Sequence, residues 1–127
     1  MSSVAIVGAS SKREKFGNKS VRAHLDRGWT VYPVHPKETR IEGLAVVAEL
    51  SLLPAAVDRV ALYVPAVVGL GVLEAVATLV SPSGVAPELW VNPGSGSPEL
   101  LARAAELGLE VHEACVLVDI GAEVWRY

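Results

Sequence analysis

Short apolar runs and amphipathic stretches alternate along this chain. Residues 4–8, Val-Ala-Ile-Val-Gly, are an apolar run stopped by glycine, as in a strand buried on both faces. A loop of Ser, Lys, Arg and Gly occupies 9–17. Residues 18–27 then set Val21 and Leu25 one helical turn apart, with Asn18 or Ser20 as the cap and Gly28 as the stop. Residues 30–34 predict a second strand, with Pro33 near its end, where a missing ladder donor costs least. A loop, a short strand around Ile41 and a helical turn lead to Pro54. The pattern next predicts a strand at 59–64, a helix at 67–79 weakened by Gly69 and Gly71, and a strand at 88–92. Pro98 opens a helix that runs to 107, Gly108 ends it, and 109–112 predicts a fifth strand. The mixed segment 115–127 has no clear period.

Strands alternating with helices of about 10 residues predict parallel pairing, with right-handed crossovers placing helices on both faces. The expected fold class is α/β: one Rossmann-like, doubly wound parallel sheet of about five strands, forming a single domain over 1–127. Ligands of such sheets bind outside the carboxyl ends of the strands, where the strand order reverses. Those ends fall at 8–11, 34–37, 64–67 and 92–97.

Composition narrows the class. Apolar residues make up 51% of the 127 and charged residues 20%, the mix of a soluble globular chain. No apolar run approaches the roughly 18 residues of a membrane span, and the first residues lack a basic, signal-like start. One cysteine, Cys115, excludes an internal disulfide and a thiolate metal cage, so a cytoplasmic location is expected. The net charge of −3 hides an asymmetry. Residues 1–40 carry eight basic side chains against three acidic ones, and the remainder carries three against eleven. An acidic balance with one isolated basic region argues against a nucleic-acid partner.

Two strand ends carry the candidate chemistry. Gly8, Ala9, Ser10 and Ser11 lie between a strand and a helix, where small residues and a helix N-terminus suit a pyrophosphate. The full G-x-G-x-x-G pattern is missing, since only Gly8 and Gly17 remain, and a glycine there also serves as a plain turn residue. After the second strand the chain reads Val34, His35, Pro36, Lys37, with no carboxylate before Glu38. An NAD site usually places Asp or Glu there for the ribose diol. Lysine instead suits a phosphorylated ribose, as in coenzyme A or NADP, and Lys12, Arg13 and Lys15 extend from the adjacent loop.

These segments resemble the small CoA-binding domain proteins, a family similar to the N-terminal CoA-binding domain of the succinyl-CoA synthetase alpha subunit. The resemblance is carried by 4–10, 17–21 and 31–37, by Ile41 and Gly43 leading to Leu52, Leu53 and Pro54, and by 108–111 with Cys115 following. It implies coenzyme A or an acyl-CoA as ligand. It also implies phosphate contacts from Gly8, Ala9 and Ser10, with Lys12 or Arg13 at the ribose phosphate. Val34, His35, Pro36 and Lys37 would line the adenosine side, and Val64 and Pro65 would lie beneath the ligand. Where the family often has a Trp-Leu-Gln-x-Gly-like segment, this chain has Trp90, Val91, Asn92, Pro93 and Gly94, which alters the pantetheine end.

No catalytic constellation stands out. His24 reads as a helix-surface histidine and His112 as a strand-end one, without metal-ligand spacing. Cys115 reads as a small buried hydrophobe, and Trp29, Trp90 and Trp125 as packing residues. The expected function is therefore CoA or acyl-CoA binding without catalysis, with a homo-oligomer left open. The alternatives are an NADP-dependent small reductase and a protein-interaction module without ligand.

Overall fold

A computed structural model describes residues 2–127. In chain order the elements are β1 (Ser3–Val7), α1 (Phe16–Asp26), β2 (Thr30–Val34), β3 (Arg40–Ile41), β4 (Leu44–Ala45) and β5 (Arg59–Leu62). They continue with α2 (Ala66–Leu70), α3 (Leu73–Thr78), β6 (Glu88–Val91), α4 (Pro98–Glu106), β7 (Val111–His112) and α5 (Val116–Asp119). Single 3₁₀ turns span Leu50–Leu52 and Val124–Arg126. Five strands form one parallel sheet in the order β2-β1-β5-β6-β7, and β3 and β4 form a small antiparallel hairpin. The Rossmann-like α/β fold expected from the pattern is the fold observed.

The continuous apolar runs split between two cores because side chains alternate along a strand. Ala5, Val7, Val60, Leu62, Leu89 and Val91 face Leu73, Val76, Leu100 and Ala104. Val4, Ile6, Ala61 and Trp90 face Val21 and Val116 on the other side. The strand that follows β1 in sequence lies on one side of it, while β5 and all later strands lie on the other. The order therefore reverses between β1 and β5, and their carboxyl ends part there.

Several elements differ from the sequence expectation for local reasons. Helix α1 begins at Phe16, and its N-cap, Lys15, supplies no side-chain bond. Neither Asn18 nor Ser20 caps it. The buried Asn18 amide donates instead to the Ser10 carbonyl at 2.8 Å and to Glu42 at 3.0 Å. The expected helix 67–79 is two short helices interrupted at Gly71–Val72. The fifth strand begins only at Val111, because the Leu109 amide is taken by the Ala104 carbonyl as α4 ends. In the unassigned tail, α5 starts behind Cys115, which is half-buried rather than buried. Trp125, expected to pack, is 79% exposed.

His24 corrects the surface reading: it is fully buried. Its Nδ1–H donates to the Ser20 carbonyl at 2.7 Å, its Nε2 finds no partner among the described residues, and the ring meets Trp29 edge-on. Burial lowers its pKa to about 4. The unfolded chain, with the ordinary value of about 6.5, takes up the proton first. Stability present above pH 6.5 is therefore lost as the pH falls towards 4. Urea denaturation at pH 5 should show the protein about 2 kcal/mol less stable than at pH 8, and His24→Leu should flatten that dependence.

Candidate functional site

Between the parted ends of β1 and β5 lies a cleft of about 720 Å³. Gly8, Ala9, Ser10, Tyr63 and Val64 form its floor, and the first turn of α1, with Phe16 and Gly17, forms one wall. Val34, His35 and Pro36 close the β2 side, while Leu50, Val68 and Val72 bring apolar surface from opposite.

Two glycines set the floor. Gly8 has φ +91°, and a Cβ there would stand 2.5 Å from the Tyr63 carbonyl oxygen. A Cβ on Gly17 would collide with the Gly8 carbonyl. The two glycines that survive from the dinucleotide pattern therefore touch, letting α1 start directly against the loop that leaves β1. Ser10 Oγ accepts the Lys12 amide at 3.1 Å, which fixes the next turn. Among the described residues the amides of Ala9 and Ser10 find no partner within the chain. No side chain caps α1, so the positive dipole end of the helix adjoins the same loop.

The β2 side is equally ordered. His35 Nδ1 accepts the amides of Lys37 and Glu38, both at 3.0 Å, so the ring proton resides on Nε2. Glu38, which sequence spacing alone sets outside the site, folds back so that its Oε2 accepts the Ser11 amide at 3.1 Å. Hydrogen bonding from Ser11, with the charge of Lys12 nearby, holds the Glu38 carboxyl below its ordinary range.

Of the residues singled out from sequence, Gly8, Ala9, Ser10, Val34, His35, Pro36 and Val64 come together in the cleft. Lys12, Lys37 and Pro65 are exposed and do not line it, Pro65 being the N-cap of α2 beside Val64. Arg13 turns away: its Nε lies 3.3 Å from Glu42, beside a separate shallow pocket with Arg22 and Tyr127. Arg22 and Arg27 donate to carbonyls of the tail. The basic excess of the first forty residues is thus divided among several surfaces. Lys15 does line the cleft.

The walls Phe16, Val68 and Val72 were not anticipated, because partly exposed apolar residues carry no periodic signal; nor was Tyr63 on the floor. Phe16 is 53% and Val68 48% exposed. Asn92 lies outside the cleft and is buried. Its amide donates to the Leu62 carbonyl at 3.0 Å and accepts the Val116 amide at 2.9 Å, tying β5 to the start of α5. A smaller hollow of about 170 Å³ lies beside it, lined by Pro93, Gly94 and Glu113.

A parallel sheet with an open, small-residue cleft at its strand-order reversal defines a Rossmann-like ligand-binding domain. The chain matches the CoA binding domain profile over residues 2–121 and belongs to that family. A conserved hypothetical protein from Pyrococcus furiosus is 31% identical and superposes with a TM-score of 0.81, covering 94% of this chain and 99% of that one. A hypothetical protein from Pyrococcus horikoshii is 26% identical, with a TM-score of 0.81 over 91% of this chain and 79% of that one. The dinucleotide-forming acetyl-coenzyme A synthetase 1 of Ca. Korarchaeum cryptofilum is 28% identical, with a TM-score of 0.74. There the match covers 89% of this chain and 26% of the synthetase. No curated protein matches the chain in sequence. Among the described residues no helix is long and apolar enough to cross a membrane.

Proposed function

We propose that the chain binds coenzyme A or an acyl-CoA in the cleft between β1 and β5 and acts as a binding domain rather than a catalyst. The observation that carries this is the union, in one cleft, of unpaired loop amides at Ala9 and Ser10 with the uncapped start of α1. Family membership directs the choice of ligand. The pyrophosphate would accept the Ala9 and Ser10 amides, and the adenosine would lie along Val34, His35 and Pro36. Lys12 and Lys37 sit at the exposed margin, where a ribose phosphate would meet them. Arg13 is excluded from this role by its pairing with Glu42. Val64 lies beneath the ligand, and the apolar faces of Phe16 and Val68 suit the pantetheine arm. This reading treats 1–127 as one cytoplasmic domain.

Calorimetric titration with coenzyme A, dephospho-coenzyme A, NADP and NAD tests the reading. Coenzyme A should bind most tightly; no binding at millimolar concentration would overturn it, and equal affinity for the dephospho form would remove the ribose phosphate from it. The double variant Lys12→Ala/Lys37→Ala should lower affinity for coenzyme A about tenfold at low salt, and less at high salt. Arg13→Ala should leave it unchanged.

A further inference from the structure

The Glu38 carboxylate takes a place in which an external anion would be well received. It accepts the Ser11 amide at 3.1 Å. His35 Nε2 lies 4.0 Å away, carrying the ring proton because Nδ1 is occupied by the Lys37 and Glu38 amides. Lys12, on the same loop, adds positive charge nearby. The Ser11 amide, an imidazole N–H 4.0 Å from the carboxylate and the charge of Lys12 on the same loop make this corner favourable to an anion. A residue of the chain itself fills it.

The position matters because of which elements meet there. Ser11 belongs to the loop leaving β1, and Glu38 follows the exit of β2. That junction is where doubly wound sheets hold the ribose of an adenosine ligand. An ordinary surface carboxylate in an ion pair would be indifferent to the ligand. One bonded to the first loop's amide at the β2 exit is not.

We propose that Glu38 is the specificity-determining residue of the cleft: its carboxylate opposes a phosphate on the ligand's ribose and accommodates an unmodified ribose diol. A phosphorylated ribose brings negative charge towards a carboxylate that already holds the local donors, so it must displace Glu38 or tolerate it. A bare diol presents O–H groups that the same carboxylate accepts. Lys12 and Lys37 act in the opposite sense, and the observed preference is the difference between the two effects. The proposal rests on the adenosine-ligand reading above and deepens it.

Glu38→Gln tests this, because the glutamine carbonyl can still accept the Ser11 amide and hold the loop while the charge is removed. Dissociation constants for coenzyme A and dephospho-coenzyme A are measured on the parent chain and the variant at low and high salt. The preference for coenzyme A over the dephospho form should rise about tenfold in the variant at low salt, and the rise should shrink at high salt. Glu38→Ala should move the preference in the same direction. A preference that stays within twofold of the parent's, with both ligands still binding, overturns the role of Glu38 and leaves the binding reading standing. If neither ligand binds the parent chain, both readings fall.

Discussion

Gly8→Ala is expected to destabilise the protein by about 3 kcal/mol and to abolish ligand binding with it. Part of that cost is the backbone: φ is +91° at Gly8, where an L side chain is strained by about 1 kcal/mol. The rest is collision, since the new Cβ would stand 2.5 Å from the Tyr63 carbonyl oxygen and 2.8 Å from its carbon. Those atoms are backbone at the end of β5 and cannot rotate away. Relief requires the β1 and β5 ends to separate, at the usual overpacking cost of about 1–3 kcal/mol. Such a movement carries Ala9 and Ser10 out of position, so binding fails even where the fold survives. Urea denaturation and titration with coenzyme A on the same sample would check both. A variant within about 0.5 kcal/mol of the parent that still binds would show that the floor is softer than its geometry implies.

The second large effect is expected at Arg59, on the other face of the sheet. Its guanidinium lies between two indoles, 4.7 Å from Trp29 and 4.6 Å from Trp90. His112 stacks on Trp90 at 4.5 Å, so planar groups from the residue before β2 and from β5, β6 and β7 pack together. The two terminal nitrogens of Arg59 reach Asp119 at 2.9 Å and Glu88 at 3.3 Å. Arg59→Ala removes the cation from both rings and opens a slot between them, for about 3 kcal/mol and a fall of roughly 10 °C in Tm. Both carboxylates are partly solvated, so losing the ion pairs contributes a minor share. Arg59→Lys keeps the charge but neither the planar stack nor the fork, and should recover less than half of the loss. Calorimetric melting would show it; a Tm within about 2 °C of the parent for Arg59→Ala would mean that the stack is ornamental.

The main sheet was legible from sequence because its strands are short apolar runs closed by glycine or proline. Right-handed crossovers then place helices on both faces, while the strand order was not read from sequence. The loop at Gly8–Ser10 and the β2 exit at Val34–Pro36 were legible too, since position after a strand is enough to place them at the cleft. Charges were read less well. Arg13 lies one residue from Lys12 yet faces Glu42, because Glu42 is brought beside α1 by the β3–β4 hairpin, a contact that no local pattern encodes. Glu38 was passed over in favour of Lys37 because it falls beyond the strand end, yet the turn capped by His35 bends it back to Ser11. His24 was misread because a polar residue on a short helix suggests solvent, whereas Trp29 and the sheet enclose it.

The interruption at Gly71–Val72 has a consequence for how a ligand enters and leaves. A helix of five residues and one of six are each too short to persist alone, so this wall exists by virtue of its packing on Leu62 and Leu100. Such short helices are expected to open at a lower free-energy cost than a floor held between two central strands. Amide hydrogens from 66 to 78 should therefore exchange with deuterium well before those of β1 and β5. A ligand resting on Val68 and Val72 should slow that exchange, so the cleft's residence time would be governed by how often this wall breathes.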